Sequence, residues 1–161
     1  MSFYKLAPIF WDILMFIFIT WIIYKNFFKP IKRYEDYINR ATNYEFFLRN
    51  KKKKMEILKT ALNDGSLLNI ERSSILIKIG FQYFKEDNWD QATKYFHDAL
   101  QIARKEKFFY TKALSDVVKA YFYMGQRQKA IDLYYDLLQR QSYDPRFSKI
   151  KKLAKLLKLN Q

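Results

Sequence analysis

The sequence predicts an all-α protein: an apolar amino-terminal helix that crosses a membrane, then repeated pairs of antiparallel helices, then a terminal helix that covers the last pair. Three observations predict it. A twenty-residue apolar run lies near the amino terminus, later apolar residues recur at i, i+3, i+4, i+7 spacing, and three fourteen-residue segments align without gaps at a constant interval. Half of the 161 residues are apolar, enough to bury a core, and the aromatic content with only three prolines favours packed helices over linker sequence.

Several function classes drop out on residue inventory. Cysteine is absent, which removes disulfides, thiol catalysis and cysteine-based metal sites. His97 is the sole histidine, and a lone His without Cys argues against zinc; it is expected on the surface. Gly65, Gly80 and Gly125 lie too far apart for a dinucleotide turn or a P-loop. Asp90, Asp98, Asp132 and Asp136 fall on outer helix faces with no partner that would make a general acid and base. No catalysis, metal or cofactor is expected.

The net charge of +14 is clustered. Residues 1–24 are neutral, 25–59 carry +7, 60–144 carry +1 and 145–161 carry +6. Two basic zones therefore flank a nearly neutral middle.

Taken in order, a short tail, residues 1–8, precedes the predicted span, residues 9–28, "IFWDILMFIFITWIIYKNFF". Twenty helical residues reach about 30 Å, the thickness of the hydrocarbon layer. Asp12 and Lys25 must then sit near the two interfaces, where Phe10 and Trp11 at one end and Trp21, Tyr24 and Phe27 at the other resemble aromatic belts. The rivals are a cleaved signal peptide and a buried soluble helix; the single Lys5 ahead of the run and the lack of small residues after it argue against cleavage. Lys25, Lys29, Lys32, Arg33 and Arg40 crowd the carboxyl side, so the rule that bases stay inside places the amino end out and the repeats in the cytoplasm, with the opposite topology as the alternative. Abundant Lys, Phe, Ile, Tyr and Asn is associated with A+T-rich genomes, hence the expectation of a bacterial cell membrane.

Residues 29–72 read as basic juxtamembrane helices, of which 35–72 form a degenerate repeat. Lys25, Lys29, Lys32 and Arg33 are expected at an anionic lipid surface. The run Lys51, Lys52, Lys53 and Lys54 is either a solvated turn or a second contact with lipid or an acidic partner. Nucleic acid is the weakest of its readings, because the bases lack interleaved stacking aromatics.

The repeat is carried by "RNKKKKMEILKTAL" from Arg49, "DNWDQATKYFHDAL" from Asp87 and "GQRQKAIDLYYDLL" from Gly125, each thirty-eight residues after the last. The helices before the second and third segments share the period, Leu76, Ile79, Gly80 and Tyr83 matching Leu114, Val117, Val118 and Tyr121. In the first unit the equivalents, Ile38, Ala41, Thr42 and Glu45, have lost the pattern.

Gly80, Tyr83, Ala92, Phe96 and Ala99, with Tyr121, Gly125, Ala130 and Tyr134 in the next unit, resemble the marks of the tetratricopeptide repeat. The resemblance covers residues 73–110 and 111–148. It departs from the family at Val118 and Leu137, in the missing closing proline at Arg104 and Ser142, and in a period of 38 against about 34. It implies a short right-handed α-solenoid in which small residues let helices approach while Tyr83, Trp89 and Phe96 fill the gap to the next pair.

A hairpin stack needs a closed end, and residues 149–161 are expected to cap it through Ile150, Leu153, Ala154 and Leu157. The alternative is a basic amphipathic helix on lipid, with Lys149, Lys151, Lys152, Lys155 and Lys158 facing the headgroups.

The resemblance also implies where a partner would lie: on the face lined by first helices, here Ile77, Lys78, Phe81, Phe84 and Lys85, then Lys112, Ser115, Asp116, Lys119, Phe122 and Tyr123. That mixture of aromatic and basic side chains suits a protein segment with apolar anchors and acidic flanks. The family's clamp for a terminal carboxylate is not reproduced. Two functions are expected from this: a non-enzymatic membrane-anchored adaptor that recruits a protein partner, or an obligate structural subunit of a larger membrane complex.

Overall fold

A computed structural model of the chain describes residues 6–159. Lys5 and most of the short amino-terminal tail lie outside them. Among the described residues the protein is helical, without strands. The chain divides between Leu67 and Leu68 into two compact units.

In the first unit, α1 (Leu6–Ile23) runs into a widened π-type turn, Tyr24–Phe28. The segment Phe10–Phe28 is long and apolar enough to cross a membrane, with a mean hydropathy of 1.4, and none of it is buried within the protein. Its polar side chains are satisfied locally: Thr20 Oγ1 donates to the Phe16 carbonyl and Asn26 Nδ2 to that of Ile22, both at 2.8 Å. Pro30 ends the helix, because its ring excludes α-helical backbone from Lys29, which is extended at φ −52° and ψ 136°.

Helix α2 (Tyr34–Phe46) starts where the Asp36 carboxylate accepts from the amides of Lys32 and Arg33 at 3.0 and 3.1 Å, bonds that hold its pKa below the ordinary value. Helix α3 (Lys51–Leu62) packs on α2, and Tyr37, Ala41, Ile57, Leu58 and Ala61 are buried in this unit. Tyr37 closes the hairpin by donating its hydroxyl to Asp64 at 3.1 Å.

In the second unit, α4 (Asn69–Lys85) packs on α5 (Trp89–Arg104), and α6 (Lys112–Tyr123) on α7 (Arg127–Gln139). The core of the first pair is Phe96, fully buried, with its ring edge-on to Phe81 at 5.0 Å and to Tyr121 of α6 at 5.9 Å. Burial pushes the Tyr121 phenol up to about 12. Gly80 faces the Phe96 ring so closely that a Cβ there would lie 2.6 Å from Cε1, which explains the small residue at this position. Tyr83 instead stacks on Tyr95 of its own pair, at 5.4 Å. Trp89, expected as a gap filler, is 46% exposed, because it is the first residue of α5, at the rim beside the turn.

The turns inside the helix pairs share a left-handed residue before the cap, but the first is one residue longer, its closing bond spanning six residues where the other two span five. Arg49, Asp87 and Gly125 all have left-handed backbone, at φ 49°, 54° and 74°, and each precedes the residue that caps the following helix. The amides of those caps, Asn50, Asn88 and Gln126, reach back to the carbonyls of Tyr44, Tyr83 and Tyr121 at 2.9 to 3.0 Å. Asn50 and Asn88 also accept from the amides of Lys53 and Gln91. Helices α3, α5 and α7 therefore begin at residues 51, 89 and 127.

The two helix pairs of this unit differ in their first helices. Helix α4 has 17 residues and α6 only 12, while a longer connection, residues 105–111, precedes α6.

The carboxyl end differs from the expected α-helix: it is a 3₁₀ helix, Pro145–Leu153, followed by turns. Phe147, Ile150 and Leu153 recur at every third position, which is the 3₁₀ repeat, and all three are buried. Ala154 and Leu157 are buried as well, and the segment packs on α7 and α6. Arg127 donates to the Leu157 carbonyl at 2.8 Å, which pins its end. Lys149, Lys151, Lys152, Lys155 and Lys158 are exposed.

Candidate functional site

In the second unit α4 and α6 touch each other and carry one face. The hairpin packing turns alternate sides of α4 inward, so that Ile75, Leu76, Ile79 and Gln82 are buried while Lys78 and Lys85 are exposed. On α6 the buried side is Leu114, Val117, Val118 and Tyr121, which leaves Lys112 and Tyr123 exposed, the latter at 60%.

The expected face is thus only partly open. Ile77 and Ser115 are buried, Ser115 sharing a hydrogen bond with the Tyr110 hydroxyl at 2.9 Å. Phe81 spends its ring on Phe96. Phe84 and Phe122 are half-buried, and Phe122 lies edge-on to Tyr123 at 5.8 Å. Asp116 and Lys119 pair with each other at 3.3 Å, which removes most of their net charge from the surface. What remains accessible is Lys78, Lys85, Lys112 and Tyr123, with parts of Phe84 and Phe122.

The second surface surrounds the foot of α1. Trp21, Tyr24, Lys25, Lys29, Pro30 and Lys32 line an open cleft of about 440 Å³. Lys25 places its ammonium over the Trp21 ring at 5.1 Å, a cation–π contact beside the apolar helix. A neighbouring polar cleft shares Lys25, Lys29 and Pro30 and adds Asn26, Asn39, Asn43, Asp36 and Arg40. Arg40 donates to the Lys29 carbonyl, and its Nε is buried without a hydrogen-bond partner. Arg33 is exposed at the start of α2.

The run 51–54 does not act as one patch. Lys51 and Lys52 are exposed, whereas Lys53 pairs with Glu56 and Lys54 with Glu45, each at 2.7 Å. The Lys54 side chain is only 12% exposed, so its charge serves the α2–α3 hairpin. The pairing with Glu56 raises the Lys53 pKa.

Asp136, expected on an outer face, bridges Arg104 at 3.3 Å and Arg140 at 3.7 Å. His97 is exposed and shares a contact of 2.8 Å with Gln101. Among the described residues no cluster of three or more His, Asp or Glu side chains is placed to hold a metal ion.

Two arrangements had no counterpart in the sequence reading. Buried Asp144 accepts from the Tyr110 amide at 2.8 Å and pairs with Arg146 at 2.9 Å, which ties the connection before α6 to the terminal segment. Phe46, Phe47 and Leu48 form an exposed apolar tip at the end of α2, at 76, 65 and 55% exposure. The signal for the second was present in the sequence, as three consecutive apolar residues directly before a basic run.

No protein-family model, no curated protein and no solved structure matches this chain.

Proposed function

We propose that this protein is a membrane-anchored, non-enzymatic adaptor of tetratricopeptide-like helix pairs, in which α1 spans the membrane and the α4–α6 face recruits a protein partner there. The observation that carries the reading is the recurrence of a left-handed residue followed by a helix cap at residues 49–50, 87–88 and 125–126, together with a helix whose apolar surface has no cover within the protein. A helical pair cannot bury its apolar face alone, and within the second unit the α4–α5 and α6–α7 pairs are read as stacked turns of a short right-handed solenoid. Buried small residues at Ala92, Ala99 and Ala130, with Phe96 reaching Tyr121 of the next pair, support that stacking.

The crowding of Lys25, Lys29, Lys32 and Arg33 after the span supports an orientation with the repeats in the cytoplasm of a bacterial cell. Tethering confines the partner search to one membrane, so modest groove affinity suffices. The exposed lysines 78, 85 and 112 beside Tyr123 fit an acidic segment with an aromatic or aliphatic anchor.

Photo-crosslinking from position 123 in native membranes tests the adaptor role. We expect capture of a defined protein that is lost in a Lys78→Glu, Lys85→Glu, Lys112→Glu variant. Unchanged capture in that variant refutes the groove. Degradation of the chain whenever its captured protein is deleted identifies an obligate subunit instead of an adaptor.

A further inference from the structure

The exposed tip Phe46, Phe47 and Leu48 needs an explanation, because three adjacent large apolar side chains left in water are costly and the α2–α3 hairpin does not cover them. Its position relative to α1 supplies one. Within this unit, Arg40 bonds to the Lys29 carbonyl, Asn43 Nδ2 meets Asn26 Oδ1 at 3.0 Å, and Tyr44 lies edge-on to Phe27 at 5.1 Å. From the Arg40–Lys29 bond to the Asn43–Asn26 bond, residue numbers rise along α2 as they fall along the foot of α1, so α2 runs back toward the apolar segment. Asn43 is level with Asn26; three or four further residues advance about 5 Å along the axis, toward the level of Ile22 and Ile23.

The flanking charges fit the same placement. Arg49, Lys51 and Lys52 are exposed directly after the apolar tip, and Lys25 and Lys29 line the cleft at the foot of α1. Apolar residues that dip below a ring of bases match an interface in which phosphates overlie acyl chains.

We infer that the α2–α3 turn is a second membrane contact: Phe46, Phe47 and Leu48 enter the interfacial zone of the bilayer beside α1, with Arg49, Lys51 and Lys52 at the level of anionic lipid phosphates. This rests on the reading of α1 as a span and deepens it, since two contacts fix the tilt and rotation of the first unit against the bilayer where one helix would leave it free to swivel.

The chain has no cysteine, so single nitroxide labels can be placed cleanly. Phe47→Cys, Ile22→Cys, Ile17→Cys and Ser66→Cys variants of the full chain are labelled and reconstituted in vesicles of phosphatidylcholine with phosphatidylglycerol. Accessibility is read with oxygen, which concentrates in lipid, and with a nickel chelate, which stays in water. The expected result is an oxygen-to-nickel ratio at position 47 close to that at 22 and several-fold above that at 66. A ratio at 47 equal to that at 66, with position 17 deep in lipid, overturns this inference and leaves the span standing. Protection of position 47 from both reagents overturns it in favour of a protein contact, from a second copy or another chain. Nickel access at position 17 removes the span itself, and the inference with it.

Discussion

At Gly80 two residue-scale effects oppose each other, and their magnitudes decide the outcome. Replacing a helical glycine by alanine gains about 1 kcal/mol of helix propensity. The new methyl, however, meets the Phe96 ring at 2.6 Å, and Phe81 and Tyr121 hold that ring on two sides. Overpacking of this kind costs about 1–3 kcal/mol, so Gly80→Ala is expected to be net destabilising by roughly 1 kcal/mol, read as a lower denaturant midpoint. Left-handed backbone works in the other direction at Arg49, which has φ 49° without being glycine. Relief of that conformation outweighs the added chain entropy, so Arg49→Gly is expected to raise thermal stability by up to about 1 kcal/mol, while Gly125→Ala lowers it by a similar amount. Equal shifts of one sign for both variants would show that tolerance of left-handed backbone is not what these residues supply.

Among the elements, the terminal 3₁₀ segment depends on Asp144. The Arg146 guanidinium beside it, with the amides of Tyr110 and Arg146, holds this carboxyl at about 2, below the ordinary 3.8. A depressed carboxylate pKa favours the folded state at pH values above about 3.8, and the contribution disappears as pH falls through about 2. Asp144→Asn is therefore expected to weaken the fold at neutral pH and to flatten the acid limb of the stability profile between about pH 4 and pH 2. An unchanged acid limb, measured by thermal unfolding across that range, would place the tie elsewhere.

This element also shows how far sequence patterning reaches. A period near 3.6 picks out Ile150, Leu153, Ala154 and Leu157, all buried, yet the period of three through Phe147, Ile150 and Leu153 is the one the backbone follows. Both periods fit so short a stretch, so the spacing of apolar residues alone does not choose between the two windings.

For the molecule as a whole, the division at Leu67 and Leu68 separates the part that carries the apolar helix from a part with its own core of Phe96, Val117, Leu137 and Phe147. Residues 68–161 alone are expected to be soluble, helical and cooperatively unfolding. Loss of helical circular dichroism in that fragment would show that its core requires the first unit. The site residues were less legible than the fold. Lys78, Lys85, Lys112 and Tyr123 lie at the surface as helical spacing predicts, but the same spacing could not foresee that Phe81 turns to Phe96 or that Lys54 pairs with Glu45.

The helical class, the apolar amino-terminal segment and the interval of thirty-eight are legible in the sequence, because hydrophobic periodicity and turn residues are local properties of the chain. Which aromatics are core and which are surface, which lysines lie in ion pairs, and the meeting of Asn43 in α2 with Asn26 at the foot of α1 follow from tertiary packing. Each of these depends on which side chains from distant positions meet, and no local pattern encodes such meetings.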